Sequence, residues 1–186
     1  LNYKFQLYGS EKAIKKSIEK YKKLFEVTEI INCESYISME DKPSDILKSK
    51  KNSSMSLAIN SVTENSSDAV LSFGNTGALM SLSLLNIRTL KGIKRPAIAS
   101  IWPNMKGESV VLDLGANTKL DSRYLIDNSV LGASLASILF KIDNPSIGLL
   151  NVGKEDNKGK EEIKLASDQL KELSRNSMIN YYGYVE

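Results

Sequence analysis

Gly74-Asn75-Thr76-Gly77 lies between two apolar runs, 69–71 and 78–80, and its residue types suit an anion. Two glycines permit a tight turn and close backbone approach, and the first turn of a following helix leaves N–H groups unpaired. The amide of Asn75 and the hydroxyl of Thr76 add side-chain donors, so phosphate is the expected ligand. Helix capping is the competing role for both residue types. The turn matches neither GxxxxGK[ST] nor GxGxxG, which separates it from nucleotide P-loops and dinucleotide sites. Two more glycine-bearing segments, 113–117 and 151–159, also follow apolar runs. Asn117 offers a second amide, and Asp113 either orients a neighbouring donor or anchors its own loop. Lys158, beside Gly159, is a flexible point charge suited to phosphate, against the ordinary fate of a solvated loop lysine. Lys42, Lys48, Lys50 and Lys51 form a basic cluster that suits phosphate or an acidic partner surface; Lys48 and Lys50 read rather as a solvated face.

The composition narrows the chemistry further. The 186 residues contain no histidine, so neither a Ser-His-Asp or Cys-His unit nor a histidine-ligated zinc site can be built from them. The single cysteine, Cys33, excludes an internal disulfide, follows the apolar Ile30 and Ile31, and reads as structural. No metal or cofactor is expected. A net charge of +3 and a pI of 8.8, without an aromatic-studded basic patch, read as solubility rather than nucleic-acid binding. No secretory signal or membrane-length apolar run is present, so a reducing cytoplasm is the expected location. Length and 41% hydrophobic content suit one α/β domain over 1–186. The chain opens at Leu1 and closes without a tail, which reads as a piece of a longer protein cut at both ends.

Elements that position these loops follow from periodicity. Strands are predicted over 4–8, 27–31, 69–72, 97–102, 110–114 and 147–151. Helices are predicted over 11–25, 55–64, 77–85, 122–140 and 161–173, with Ile14, Ile18, Tyr21 and Phe25 on the inner face of the first. Residues 103–107 read as a turn. Strand-helix alternation predicts a layered α/β architecture: a mostly parallel sheet with helices on both faces. In such sheets ligands collect beyond the carboxyl ends of the strands, which predicts a shared cleft for the three glycine loops. The small and apolar residues 131–140 predict core packing, with a dimer interface as the alternative.

Several segments resemble a known family in the right order. They are Ser38-Met39-Glu40-Asp41-Lys42-Pro43-Ser44, Lys51-Asn52-Ser53-Ser54-Met55, Gly74-Asn75-Thr76-Gly77-Ala78-Leu79-Met80, Asp113-Leu114-Gly115-Ala116-Asn117, and Leu149-Leu150-Asn151-Val152-Gly153 leading to Lys158-Gly159. Together they are similar to the bacterial phosphate acyltransferases of the PlsX type. The resemblance implies transfer of a fatty acyl group from acyl carrier protein to inorganic phosphate, forming acyl phosphate for phospholipid synthesis. It implies a fold like the isocitrate and isopropylmalate dehydrogenases and the phosphotransacetylases. Homodimers that contact the membrane peripherally, through parts outside this stretch, are also implied. It places Asn75, Thr76, Asn117 and Lys158 in the chemistry, and Gly74, Gly77, Asp113, Lys42 and Lys51 at the substrates. Lys119 and Lys154 depart from a more acidic pattern, and both add positive charge.

The resemblance fits the missing histidine, because phosphate brings its own nucleophilic oxygen to a thioester. Direct attack without an acyl-enzyme is the expected mechanism. A short-chain phosphate acyltransferase using coenzyme A is the alternative enzyme, and a phosphate- or nucleotide-binding module without catalysis is the alternative outside enzymology. Dehydrogenation with a nicotinamide cofactor is weaker, since no dinucleotide fingerprint follows any strand.

Overall fold

The computed structural model describes residues 3–42, 46, 51–117, 119 and 121–186, in two compact units, Leu1–Leu90 and Lys91–Glu186. Lys48 and Lys50 lie outside the described residues. In the first unit, β1 (Phe5–Gly9) pairs in parallel with β2 (Thr28–Asn32). Parallel neighbours require a crossover, here α1 (Glu11–Ile18) and α2 (Lys22–Glu26). Ser10 gives α1 no side-chain cap, and Asn32, at the end of β2, instead accepts the Glu11 N–H at 3.0 Å. The single helix predicted over 11–25 is broken at 19–21, and Tyr21 and Phe25 are 54% and 49% exposed rather than inward. Next come α3 (Ser54–Thr63) and α4 (Thr76–Asn86), with α3 packed on both β1 and α4. Ile37, Ile46, Met55, Ile59, Ala78 and Leu82 make the core beneath them.

Residues 69–72 do not form the predicted strand. Val70 packs on the core while Leu71 is 81% exposed, and among the described residues no neighbouring strand takes up the backbone groups of this segment. The glycine turn therefore enters α4 from a segment that belongs to no strand among the described residues.

In the second unit, β3 (Ala99–Asn104) and β4 (Gly107–Leu112) form an antiparallel hairpin closed by Met105 and Lys106. The predicted turn at 103–107 is thus shorter, because Pro103 and Asn104 continue the strand and pair with Glu108 and Gly107. A two-residue connection dictates antiparallel pairing, so the expected parallel relation fails here. α5 (Ser122–Phe140) packs on β4, β5 (Ser146–Leu150) and α6 (Glu161–Arg175). β6 (Asn180–Val185), not predicted, pairs in parallel with β5 across a register shift after Ile147. Ile126, Leu149, Ala166, Leu170 and Tyr184 form the core. At the far end of α5, Ile138 is 76% and Leu139 46% exposed, so these two residues lie outside the core expected of 131–140.

The architecture is mixed α/β, with two small parallel sheets and one antiparallel hairpin among the described residues, rather than one continuous parallel sheet. No described helix is long and apolar enough to cross a membrane. Cys33 is buried, which raises its thiol pKa, and its Sγ lies 3.3 Å from the Ile31 carbonyl oxygen.

Candidate functional site

Gly74, Asn75, Thr76, Gly77, Lys42 and Lys51 belong to the first unit; Asp113, Asn117 and Lys158 belong to the second. Asn75 is the N-cap of α4. Its Oδ1 accepts the Ala78 N–H at 3.0 Å, and its Nδ2 donates toward the carbonyls of Ser38, Met39 and Asp41 at 3.1–3.3 Å. The buried side chain thus straps the 38–41 loop, itself closed by the Ser38 N–H on the Asp41 carboxylate at 2.7 Å, to the start of the helix. With two hydrogens and three carbonyls, the amide has no donor left for a ligand. Thr76 and Gly77 are exposed, and among the described residues no hydrogen bond is formed by their N–H groups. At Gly74 a Cβ would lie 3.0 Å from Met55 Cε, a tight contact that the end of the methionine side chain would have to yield to. Lys42 is exposed directly after the strapped loop. Lys51 lines a different cleft of about 290 Å³ with Ser56, Asn60, Leu82, Leu85 and Asn86, at the other end of α4.

Asp113, just beyond β4, organises the second site. Its Oδ1 accepts the N–H groups of Ile98 at 3.0 Å and Ala116 at 3.1 Å. Its Oδ2 accepts the Asn117 N–H at 2.9 Å, the Asn117 amide at 3.1 Å and the Tyr124 hydroxyl at 2.8 Å. Burial pushes this carboxyl up, but the donors from Ile98, Tyr124, Asn117 and Ala116 outweigh it and hold the pKa below the ordinary carboxylate value. Gly115, at φ 93°, lets the loop curl around the carboxylate. Asn117 Nδ2 also lies 3.0 Å from the Pro96 carbonyl and 2.6 Å from Tyr124 Oη. This amide too is spent on the protein, and what Asn117 leaves over is its carbonyl oxygen. Tyr124 carries no role in the sequence reading. Its signal is a phenol in the first turn of α5, seven residues after Asn117. Burial raises its pKa, and the adjacent Asp113 adds to the effect.

The third loop follows β5. Asn151 is 8% exposed, and its Nδ2 donates to the carbonyls of Gly153 at 3.1 Å and Lys158 at 3.2 Å. Its buried Oδ1 has no hydrogen-bond partner among the described residues, an arrangement that costs about 1–3 kcal/mol. The Lys158 N–H donates to the Glu155 carbonyl at 3.0 Å, and Lys158 itself is exposed. Lys171 on α6 reaches Asp156 at 3.3 Å and ties the loop to that helix, an exposed ion pair that raises the lysine pKa. Asn151 lies within a recognised segment, yet only its position between an apolar strand and Gly153 hinted at a structural task.

A family model described as fatty acid synthesis protein matches residues 1–186. The chain belongs to this family. A protein named phosphate acyltransferase from Mesorhizobium japonicum is 46% identical over 184 residues, which is 98% of this chain and 51% of that protein. One of the same name from Sinorhizobium fredii is 44% identical over 98% of this chain and 53% of its own length. The chain spans about half the length of the curated relatives it matches. Among solved structures, the EutD phosphotransacetylase from Staphylococcus aureus is similar, with a TM-score of 0.61 and 14% identity over 96% of this chain and 59% of that one. At that identity the likeness speaks for the fold alone, in line with the mixed α/β arrangement of this family member.

Proposed function

We propose that the full-length protein transfers a fatty acyl group from acyl carrier protein to inorganic phosphate, giving acyl phosphate for phospholipid synthesis. The observation that carries this reading is the 46% identity, over 98% of the chain, to a protein named phosphate acyltransferase. A phosphate oxygen attacks the thioester carbonyl carbon, a C–O bond forms, the C–S bond breaks, and the carrier thiolate leaves to take a proton. The protein aligns phosphate with the carbonyl and supplies donors to the developing oxyanion, each worth roughly 3 kcal/mol. The Thr76 hydroxyl and the first-turn N–H groups of α4 are donors of the required kind. Lys158 supplies countercharge, and Lys42 and Lys51 add attraction for an acidic carrier. Asn75 holds the turn that presents the α4 donors, Asp113 and Asn117 order the 113–117 loop, and Gly74 and Gly77 keep the turn open to phosphate.

The whole protein, on this reading, is a cytoplasmic homodimer with a layered dehydrogenase-like fold and peripheral membrane contact. The test incubates the full-length protein with phosphate and either long-chain acyl carrier protein or acyl-CoA, and measures acyl phosphate and free thiol. Product with the carrier substrate supports the reading. Product with acyl-CoA alone replaces the donor, and no product from either points to a binding module. An acylated enzyme trapped during turnover overturns direct attack.

A further inference from the structure

The loop of residues 151–159 is held from its first residue. Asn151 reaches across it from the end of β5 and holds the carbonyls of both Gly153 and Lys158, 3.1 and 3.2 Å away. Turning the amide over would set its oxygen against those two carbonyls, so the donors fix its orientation. The cost is an Oδ1 that is buried without a partner among the described residues. Gly159, at φ 85°, lies against that oxygen: a Cβ there would fall 2.0 Å from it. Gly153 is kept clear for the lysine, since a Cβ there would meet Lys158 Cγ at 3.1 Å and Glu155 Oε2 at 2.6 Å. Two glycines and a buried amide thus serve one geometry, in which the Lys158 stem crosses Gly153 and the residue remains exposed.

We propose that Asn151 is a positioning residue for Lys158, holding the loop in the conformation from which that lysine meets phosphate. The inference rests on the phosphate acyltransferase reading above. A loop free to move would keep the charge but lose its placement, and misplacement of about 1 Å is enough to cost up to 100-fold. Because Lys158 binds phosphate rather than the acyl donor, the loss falls on one substrate only.

The experiment measures steady-state kinetics of the full-length protein for both substrates in Asn151→Ala, Gly159→Ala, Lys158→Met and the Asn151→Ala/Lys158→Met pair. Lys158→Met is expected to raise the phosphate KM about tenfold, with the acyl-donor KM within about twofold. Asn151→Ala and Gly159→Ala are expected to do the same, and the double variant to add little to Lys158→Met. A merely structural role would shift both KM values and kcat together. The inference is overturned if Lys158→Met raises the phosphate KM and neither loop variant does, or if the double variant multiplies the two effects. Unchanged phosphate KM in Lys158→Met overturns it as well, while continued acyl phosphate formation leaves the enzyme reading standing. Should Asn151→Ala fail to fold, Gly159→Ala decides, because it displaces the same amide from the other side.

Discussion

Replacing Asp113 by Asn keeps the side-chain shape but removes the negative charge and one acceptor oxygen from a group that serves five donors. The carboxamide keeps the larger group by turning its oxygen toward the Asn117 N–H, Asn117 Nδ2 and Tyr124 Oη. Its NH2 then confronts the Ile98 and Ala116 N–H groups, formerly 3.0 and 3.1 Å from Oδ1. Two hydrogen bonds to a charged group are lost, each worth about 1.5–3 kcal/mol, and the half-buried site argues for the lower end. Relief of carboxylate desolvation gives some of this back, leaving about 2–3 kcal/mol of local stability. Hydrogen exchange reads that as about 30- to 150-fold less protection at the Ile98 and Ala116 amides, with the amides inside the β3–β4 hairpin as control.

The pH dependence supplies an independent check on the same residue. A folded-state pKa below the ordinary value means that the unfolded chain binds the proton more readily. Asp113 therefore stabilises fully above the ordinary carboxylate value near 3.9, and its contribution is lost as pH falls from there through the lowered folded-state value. The difference between wild type and Asp113→Asn is expected to stay level from pH 7 to about pH 5 and to shrink below it. Protection at Ile98 and Ala116 unchanged within threefold, or a difference that persists at acid pH, would refute the claim that this carboxylate organises the loop.

Asn75→Ala removes the α4 cap and the strap to 38–41, and is expected to destabilise the first unit by about 2–3 kcal/mol in urea denaturation, whereas Thr76→Ala, at an exposed side chain, stays within about 0.5 kcal/mol. Tyr124→Phe removes the hydroxyl from Asp113 and is expected to cost about 1.5 kcal/mol; combined with Asp113→Asn it costs less than the sum, which a double-mutant cycle measures. Lys171→Met breaks exposed ion pairs to Asp156 and Asp168 and is expected to change thermal stability by under about 0.5 kcal/mol. With its pKa raised, Lys171 contributes fully below the ordinary lysine value and loses that contribution as pH rises through the folded-state value, so titration above about pH 10 is where any effect disappears.

Amphipathic and capped helices were legible where local signals agreed: α5 runs over 122–140 as its apolar pattern predicts, and Asn75 caps α4 as its residue type allows. Strand pairing was less so, because a ladder depends on residues distant in sequence. Residues 69–72 have the composition of a buried strand but no partner among the described residues. β6 went unread although Tyr181, Tyr182, Tyr184 and Val185 are strand formers, since Gly183 at φ 123° and the register shift beside it interrupt the alternation. The positions 74–77, 113–117 and 158 were visible as glycine-bearing loops. What the sequence could not disclose was the direction of each amide, which is set by the carbonyls that happen to surround it.

That direction changes what the asparagines do. Asn75, Asn117 and Asn151 each turn their NH2 group inward, toward the carbonyls of 38–41, of Pro96, and of Gly153 and Lys158. An amide that satisfies backbone acceptors cannot also donate to a phosphate oxygen without releasing the loop it holds. On the proposed function, donation at these loops falls to groups with hydrogens to spare: the first-turn N–H groups of Thr76 and Gly77, the Thr76 hydroxyl and the Lys158 ammonium. Backbone donors at a strapped helix start need no reorganisation when a charge arrives, which is where preorganised electrostatic stabilisation gains over flexible side chains. Loss of an asparagine should accordingly appear first as local loosening and only through it as weaker phosphate binding, while loss of Lys158 should weaken phosphate binding with the fold intact.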